Sequence, residues 1–236
     1  MQLVDRIEKR RFVGREFLLW LWFESELFDA TLATKAHGSF GLWIERQIIL
    51  TAGKESTRIK GAQPAASREA KESLMRGKLP ESAGFHLVWH DQESNFTLKA
   101  ERLAVAGLSL PTVLDASEEP APQLLAAPRA PRRKKRESAE REEARESDTQ
   151  HEAFYERMHL THDFEGLLEA LYRDFLTLRL GSAWDAHVVP AMRAWSSGDE
   201  ALDVDAYRAA RDAAIAGTRK RREEKPARAG RVERSL

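Results

Sequence analysis

Glu16-Phe-Leu-Leu-Trp-Leu-Trp-Phe-Glu-Ser-Glu26 is the stretch on which the fold turns. Seven consecutive large apolar side chains, Phe17 to Phe23, leave no polar face. Read as a helix, the stretch is apolar nearly all round, and such a helix is buried or lies between two packing surfaces. A buried strand is the alternative, because so short a run carries no periodicity that decides between them. The run is more apolar than one small domain easily encloses, which predicts burial against another block or subunit. It is far too short to cross a bilayer, which needs about 20 residues.

Before this run, residues 3–8 read as a short helix with Leu3, Val4 and Ile7 on one side, and Gly14 as a break. After it the period changes. Phe40, Leu42 and Ile44 alternate with Gly41, Trp43 and Glu45, and Ile48 to Leu50 follow a few residues on. That spacing predicts a hairpin, although Glu45-Arg46-Gln47 is a poor turn sequence. A third strand is expected over Ser56–Lys60, then a helix opened by Pro64 and Ser67, with Ala70 and Leu74 inward and Gly77 as its stop. Phe85, Leu87 and Trp89 share one face of a fourth strand, with His86, Val88 and His90 on the other. Asp91 to Ser94 read as a turn, Phe96 and Leu98 as the return strand, and Leu103–Leu110 as a last extended piece before Pro111.

Residues 115–150 are nearly free of large apolar side chains. Pro120, Pro122, Pro128 and Pro131 occupy the first half, and basic and acidic blocks follow in order, so a disordered charged linker is expected. Beyond it Phe164, Leu167, Leu168, Leu171, Tyr172, Phe175, Leu176 and Leu178 keep helical spacing up to Gly181. Phe154, Tyr155 and Met158 read as a separate short helix, with Thr161 as the N-cap of the next. Ser182 with Asp185 resembles a capping box. Trp184, Val188, Met192 and Trp195 form a stripe that Pro190 should kink, and Val204–Ala216 is an alanine-rich helix. The expected organisation is a 1–114 α+β block, a 115–150 linker, a 151–216 helical block and a 217–236 disordered basic tail. The fold class is α+β: an antiparallel sheet with helices in the first block, and the helical block packed on it.

Composition narrows the function classes. The chain has no cysteine, which excludes disulfides, thiolate metal sites and cysteine nucleophiles. Charges at Asp5, Arg6 and Glu8 to Arg11 preclude a signal-peptide pattern, so a soluble, cytoplasmic protein with no membrane partner is expected. The zero net charge conceals an uneven distribution. Lys and Arg against Asp and Glu number 16 to 14 in residues 1–114, 8 to 9 in 115–150, 4 to 9 in 151–200 and 10 to 6 in 201–236.

No catalytic motif is legible. Gly53-Lys54 lacks the first glycine of a phosphate loop, since Ile48 stands there, and Glu55 replaces the magnesium-binding Ser or Thr. His159, His162 and Asp163 are close in sequence, but an N-cap at Thr161 would separate the histidines, and no Glu follows at zinc-protease spacing. His86 and His90 share a strand face without a third partner. No Gly-x-Ser-x-Gly context exists, and the carboxylates read as solvated among Lys and Arg. The expectation is no enzyme, no metal and no cofactor. The six tryptophans sit on apolar stripes and read as core rather than as base-stacking groups.

The functional signal with a mechanism is cationic. Arg129, Arg132, Arg133, Lys134, Lys135 and Arg136 form one run. Arg219, Lys220, Arg221 and Arg222 form another. Such runs neutralise phosphates and release counterions, giving salt-sensitive binding without sequence preference. Glu137, Glu140, Glu142 and Glu143 follow the first run and could pair with it instead. Lys9, Arg10, Arg11 and Arg15, and Arg68, Lys71, Arg76 and Lys78, are lesser sets in the folded part.

The stretch Phe12 to Glu26, together with Phe154-Tyr-Glu-Arg-Met158, Trp184 and Pro190-Ala-Met-Arg-Ala-Trp195, resembles sequences in bacterial proteins associated with the RdgC recombination family, as a carboxy-terminal portion or a companion chain. The resemblance covers residues 1–113 and 151–198 and rests on apolar, Trp-rich pattern. It implies a bacterial, non-enzymatic, nucleoid-associated role. Well-known members form dimeric rings around duplex DNA, bind without sequence preference and restrain the recombinase. This chain is expected to lack their amino-terminal portion, so no DNA-contacting residue carries over by motif. The expected function is a DNA-associated accessory protein in recombination or replication that uses Arg132, Arg133, Lys134, Lys135, Arg136, Arg219, Lys220, Arg221 and Arg222. The alternative is an interaction scaffold or companion subunit, joined to an RdgC-like chain or to its own copies.

Overall fold

The Phe17–Phe23 run is helical and lies inside helix α1 (Leu3–Leu27). The computed structural model describes the backbone of residues 3–111, 132–199 and 202–224, and side chains over 13–111, 151–199 and 202–217. The expected short helix and break merge into α1, which passes through Gly14 without interruption. A Cβ at Gly14 would lie 2.0 Å from the carbonyl oxygen of Ala100. The glycine is therefore a point of close backbone approach rather than a helix breaker.

Six antiparallel strands follow: β1 (Thr31–Thr34), β2 (Gly38–Ala52), β3 (Glu55–Gly61), β4 (Leu79–Trp89), β5 (Gln92–Lys99) and β6 (Ala104–Ser109). The order is β1-β2-β4-β5-β6, with β3 paired to the second half of β2. β1 was not foreseen. The hairpin expected at Glu45-Arg46-Gln47 is absent, because β2 runs straight through it. Arg46 takes φ 68° there, and the β2–β4 register slips between Ile44 and Ile48. Such a bulge absorbs extra residues while the flanking side chains keep their faces. The turn lies later, at Gly53-Lys54, where Gly53 has φ 58° between the paired residues Ala52 and Glu55. The β4–β5 turn is His90-Asp91, both at positive φ, rather than Asp91 to Ser94.

Helix α2 (Arg68–Met75) is capped by Ser67, whose hydroxyl accepts from the Ala70 N–H at 3.2 Å. From Arg132 the backbone is helical through Arg179, forming α3. The proline-rich stretch ends at Pro131, and the Arg, Lys, Glu and Ala directly beyond it are good helix formers. The expected break at Thr161 is absent: its hydroxyl donates to the Arg157 carbonyl at 2.8 Å within the helix. A π-helical turn (Trp184–Val188) leads into α4 (Val189–Ser197). The wide turn, closed by the Val189 N–H donating to the Trp184 carbonyl, admits Pro190, which has no N–H to give. No side-chain cap forms at its start, so the Ser182–Asp185 capping box is not made. Helix α5 (Val204–Glu224) is capped by Asp203, which accepts from the Ala206 N–H at 2.9 Å.

The chain divides into two compact units. One is Met1–Ser109 with Leu167–Leu236, and the other is Leu110–Gly166. In the first, the architecture is α+β, with helices from the second sequence block packed on the sheet block through α1. Phe40, Leu42, Ile44, Ile48, Leu50, Phe85, Leu87, Phe96 and Leu98 are buried on one sheet face. On its other sides α1 meets rings from the later helices. Phe17 and Trp20 lie 5.3 and 5.8 Å from Phe175, and Trp22 and Phe23 lie 5.3 and 5.5 Å from Trp195. Phe23 also lies 5.1 Å from Tyr207. A helix apolar all round is thus satisfied by partners all round. Arg179 closes the edge, donating to Glu16 at 2.7 Å. In the second unit, the described part of α3 exposes Phe154, Tyr155 and Met158. Among the described residues, no helix is long and apolar enough to cross a membrane.

Candidate functional site

Arg132, Arg133, Lys134, Lys135 and Arg136 open α3, and Arg219, Lys220, Arg221 and Arg222 fall near the end of α5. Their side chains lie outside the described residues. The two runs belong to different units, residues 132–136 to one and 219–222 to the other. The first turn of α3 holds no acidic residue. Its cations stand where the helix dipole is also positive, so the helix's own field does not compensate them. The α5 run lies at the end that favours cations.

The lesser cation sets are largely engaged. Arg15 pairs with Glu81, Arg68 and Arg76 with Glu72, Lys71 with Glu26, and Lys78 with Glu55. The side chains of Lys9, Arg10 and Arg11 lie outside the described residues. Lys71 is the most constrained. It donates to Glu26 at 2.5 Å, and its ammonium lies 3.3 Å from the centre of the Trp195 ring. Trp22 and Trp195 donate to the same carboxylate at 2.5 and 2.9 Å. Burial lowers the Lys71 pKa, with Glu26 opposing that shift. This hub ties α1, α2 and α4 together, and its donors and acceptor are spent on one another.

Glu24 corrects the expectation that carboxylates are solvated: it is 0% exposed. The Tyr207 hydroxyl donates to it, and Arg211 Nε lies 3.2 Å from its other oxygen, an ion-pair separation without hydrogen-bond alignment. Burial pushes the Glu24 carboxyl up to about 7, against the pull of Arg211. Tyr207 is raised as well, first by burial and then by the neighbouring carboxylate. The signal was present in the sequence, since Glu24 directly follows seven apolar residues on a helix with no polar face.

The histidines do not assemble a site. His90 lies in the β4–β5 turn and is exposed, so it does not share a strand face with His86. His159 and His162 both sit, exposed, on the continuous α3. Among the described residues, no group of three or more His, Asp or Glu could hold a metal ion. An open cleft of about 170 Å³ is lined by Phe17, Leu98, Leu103, Leu168, Glu169 and Tyr172. It is apolar apart from Tyr172 and Glu169, and the Glu169 carboxylate accepts from Arg173 at 2.5 Å.

The sheet face opposite Leu98 is polar and carries one large aromatic. Trp43, His86 and Asn95 form a row across β2, β4 and β5. The Trp43 and His86 rings stack at 4.4 Å and 22°. His86 Nδ1 is 3.3 Å from Glu45 and 3.1 Å from Asn95, and Nε2 is 3.7 Å from Glu93. A second row, Arg58, Ile49, Ser82 and Lys99, crosses β3, β2, β4 and β5, with Lys60 opposite Gln47. Arg58, Lys60 and Lys99 were not singled out from sequence. The alternation of Ser56, Arg58 and Lys60 with Thr57 and Ile59 was the available signal.

Comparison with protein-family models, with curated proteins and with solved structures finds no match for this chain.

Proposed function

We propose that this chain is a non-enzymatic, DNA-associated accessory protein in recombination or replication, working in the cytoplasm at the nucleoid. It holds nucleic acid without sequence preference, through Lys and Arg contacts to phosphate. The observation that carries the reading is the pair of cation runs, 132–136 at the start of α3 and 219–222 near the end of α5. Five and four consecutive cations in the sequence suit a diffuse phosphate lattice better than a small ligand. The resemblance to RdgC-associated sequences points the same way.

The test is fluorescence anisotropy of labelled duplex and single-stranded oligonucleotides from low to physiological salt. It compares the full chain with a full-length variant carrying glutamine at all nine positions. The expected outcome is binding that weakens linearly in log salt, a smaller slope for the variant, and at least a tenfold loss of affinity at about 0.1 M salt. Unchanged binding by the variant would move the contact to the folded units. No binding by the full chain at low salt would sink the reading. In its place would stand a companion subunit, whose partner is an RdgC-like chain or a second copy. The exposed Phe154, Tyr155 and Met158 on α3 favour that second reading.

A further inference from the structure

The core of the first unit is gathered on one face of the sheet, so Trp43 on the opposite face is not needed to fill it. A large aromatic held half-buried on a central strand calls for another account. Its ring is fixed by the stack on His86, and His86 is in turn held between Glu45, Asn95 and Glu93. Gly41 keeps the flank of the ring low, since a Cβ there would already touch Trp43 and Val88 at 3.4 Å.

Farther along the same face lies fixed positive charge. The Arg58 guanidinium donates twice to the Gln47 side-chain oxygen, at 3.2 and 2.6 Å. The acceptor is neutral, so the group is positioned while its charge stays uncompensated. Lys60 and Lys99 are exposed and have no carboxylate within ion-pair distance among the described residues. The carboxylates of this face, Glu45 and Glu93, are both drawn to His86 at the other end. From Trp43 to Ile49 is at most about 20 Å, at about 3.3 Å per residue of strand.

We propose that this face is a platform for single-stranded nucleic acid, on which a base stacks against Trp43 while Arg58, Lys60 and Lys99 neutralise the following phosphates. The proposal rests on the reading of the chain as a DNA-associated protein. It commits to a single strand because bases within a duplex are already stacked and cannot reach a ring lying on a sheet. A preset ring and a preset guanidinium also lower the ordering cost of binding.

The probe is a fluorescein-labelled 20-mer of thymidylate, with a 20-base-pair duplex beside it, titrated with the full chain at low salt. Trp43→Ala should weaken the single strand at least fivefold and leave the duplex within twofold, whereas Trp43→Phe retains most of the affinity. Arg58→Gln, Lys60→Gln and Lys99→Gln together should flatten the salt dependence of single-strand binding, and Lys35→Gln, in the β1–β2 turn, should not. Ultraviolet cross-linking of the wild-type chain to a bromodeoxyuridine 20-mer should label the tryptic peptide Ala36–Arg46, whose one tryptophan is Trp43. That measurement needs no variant to fold. Normal single-strand binding by Trp43→Ala, or cross-links confined to other peptides, overturns the platform while leaving the DNA reading intact. Failure of the full chain to bind either probe overturns both.

Discussion

Glu24 shows how much one residue's environment decides. A carboxyl near 4.5 in the unfolded chain stands at about 7 in the fold, because burial penalises its charged form more than Arg211 rewards it. A raised folded value means that the native state binds the proton more tightly than the unfolded chain does. The resulting stability is fully present below about 4.5 and is lost as pH rises through about 7. The melting temperature of the wild-type chain should therefore fall between pH 5.5 and 8.5, and Glu24→Gln should remove most of that fall. A melting temperature that climbs over the same range in the wild type would show the opposite sign. At this scale the sequence was partly legible. Gly14 was visible as a special position, but a glycine that breaks a helix and one that admits a neighbouring carbonyl look the same until Ala100 is placed beside it.

At the scale of elements, helix α5 is held by few but specific groups. Tyr207 is buried against Phe23 and Phe28 and donates to Glu24, and the Arg208 and Arg211 guanidinium groups lie 4.8 and 5.2 Å from the centre of the Phe28 ring. Deleting the ring removes the apolar contact and leaves the Glu24 carboxyl with one partner fewer. Tyr207→Ala should cost about 3–5 kcal/mol, by analogy with other buried aromatic truncations. Hydrogen exchange should show α5 amides losing protection while those of β2 and β4 keep theirs. Equal loss across all elements would mean that α5 is not a separable part of the unit. Most elements could be read from sequence by their period, as with α2 and β3 to β6. The misreadings lie where one element continues through an unfavourable residue. β2 carries Arg46 through a bulge, and α3 carries Thr161 by bonding its hydroxyl within the helix. Local propensity sees the unfavourable residue, and only pairing along the rest of the element outweighs it.

Over the whole molecule, α1 is shared between a sheet formed before residue 110 and helical residues from Leu167 onward. Residues 1–111 expressed alone would leave Phe17, Trp20 and Phe23 uncovered on the side where Phe175, Trp195 and Tyr207 belong. That fragment should lack a cooperative thermal transition and bind an apolar dye, and co-expression with residues 151–236 should restore the transition and abolish the dye binding. A sharp transition in the fragment alone would show that the sheet side suffices. The sequence by itself determined that Phe17–Phe23 must be enclosed and that the chain alternates between strand and helix periods where it does. These follow from composition and spacing, which are local. Only the tertiary structure decided what encloses the run, why a carboxylate sits inside it, and how Trp43 comes to lie beside His86 with Arg58 and Lys99 on the same face. Each of those depends on register between strands or contact between helices far apart in the chain, and no window of sequence contains both partners.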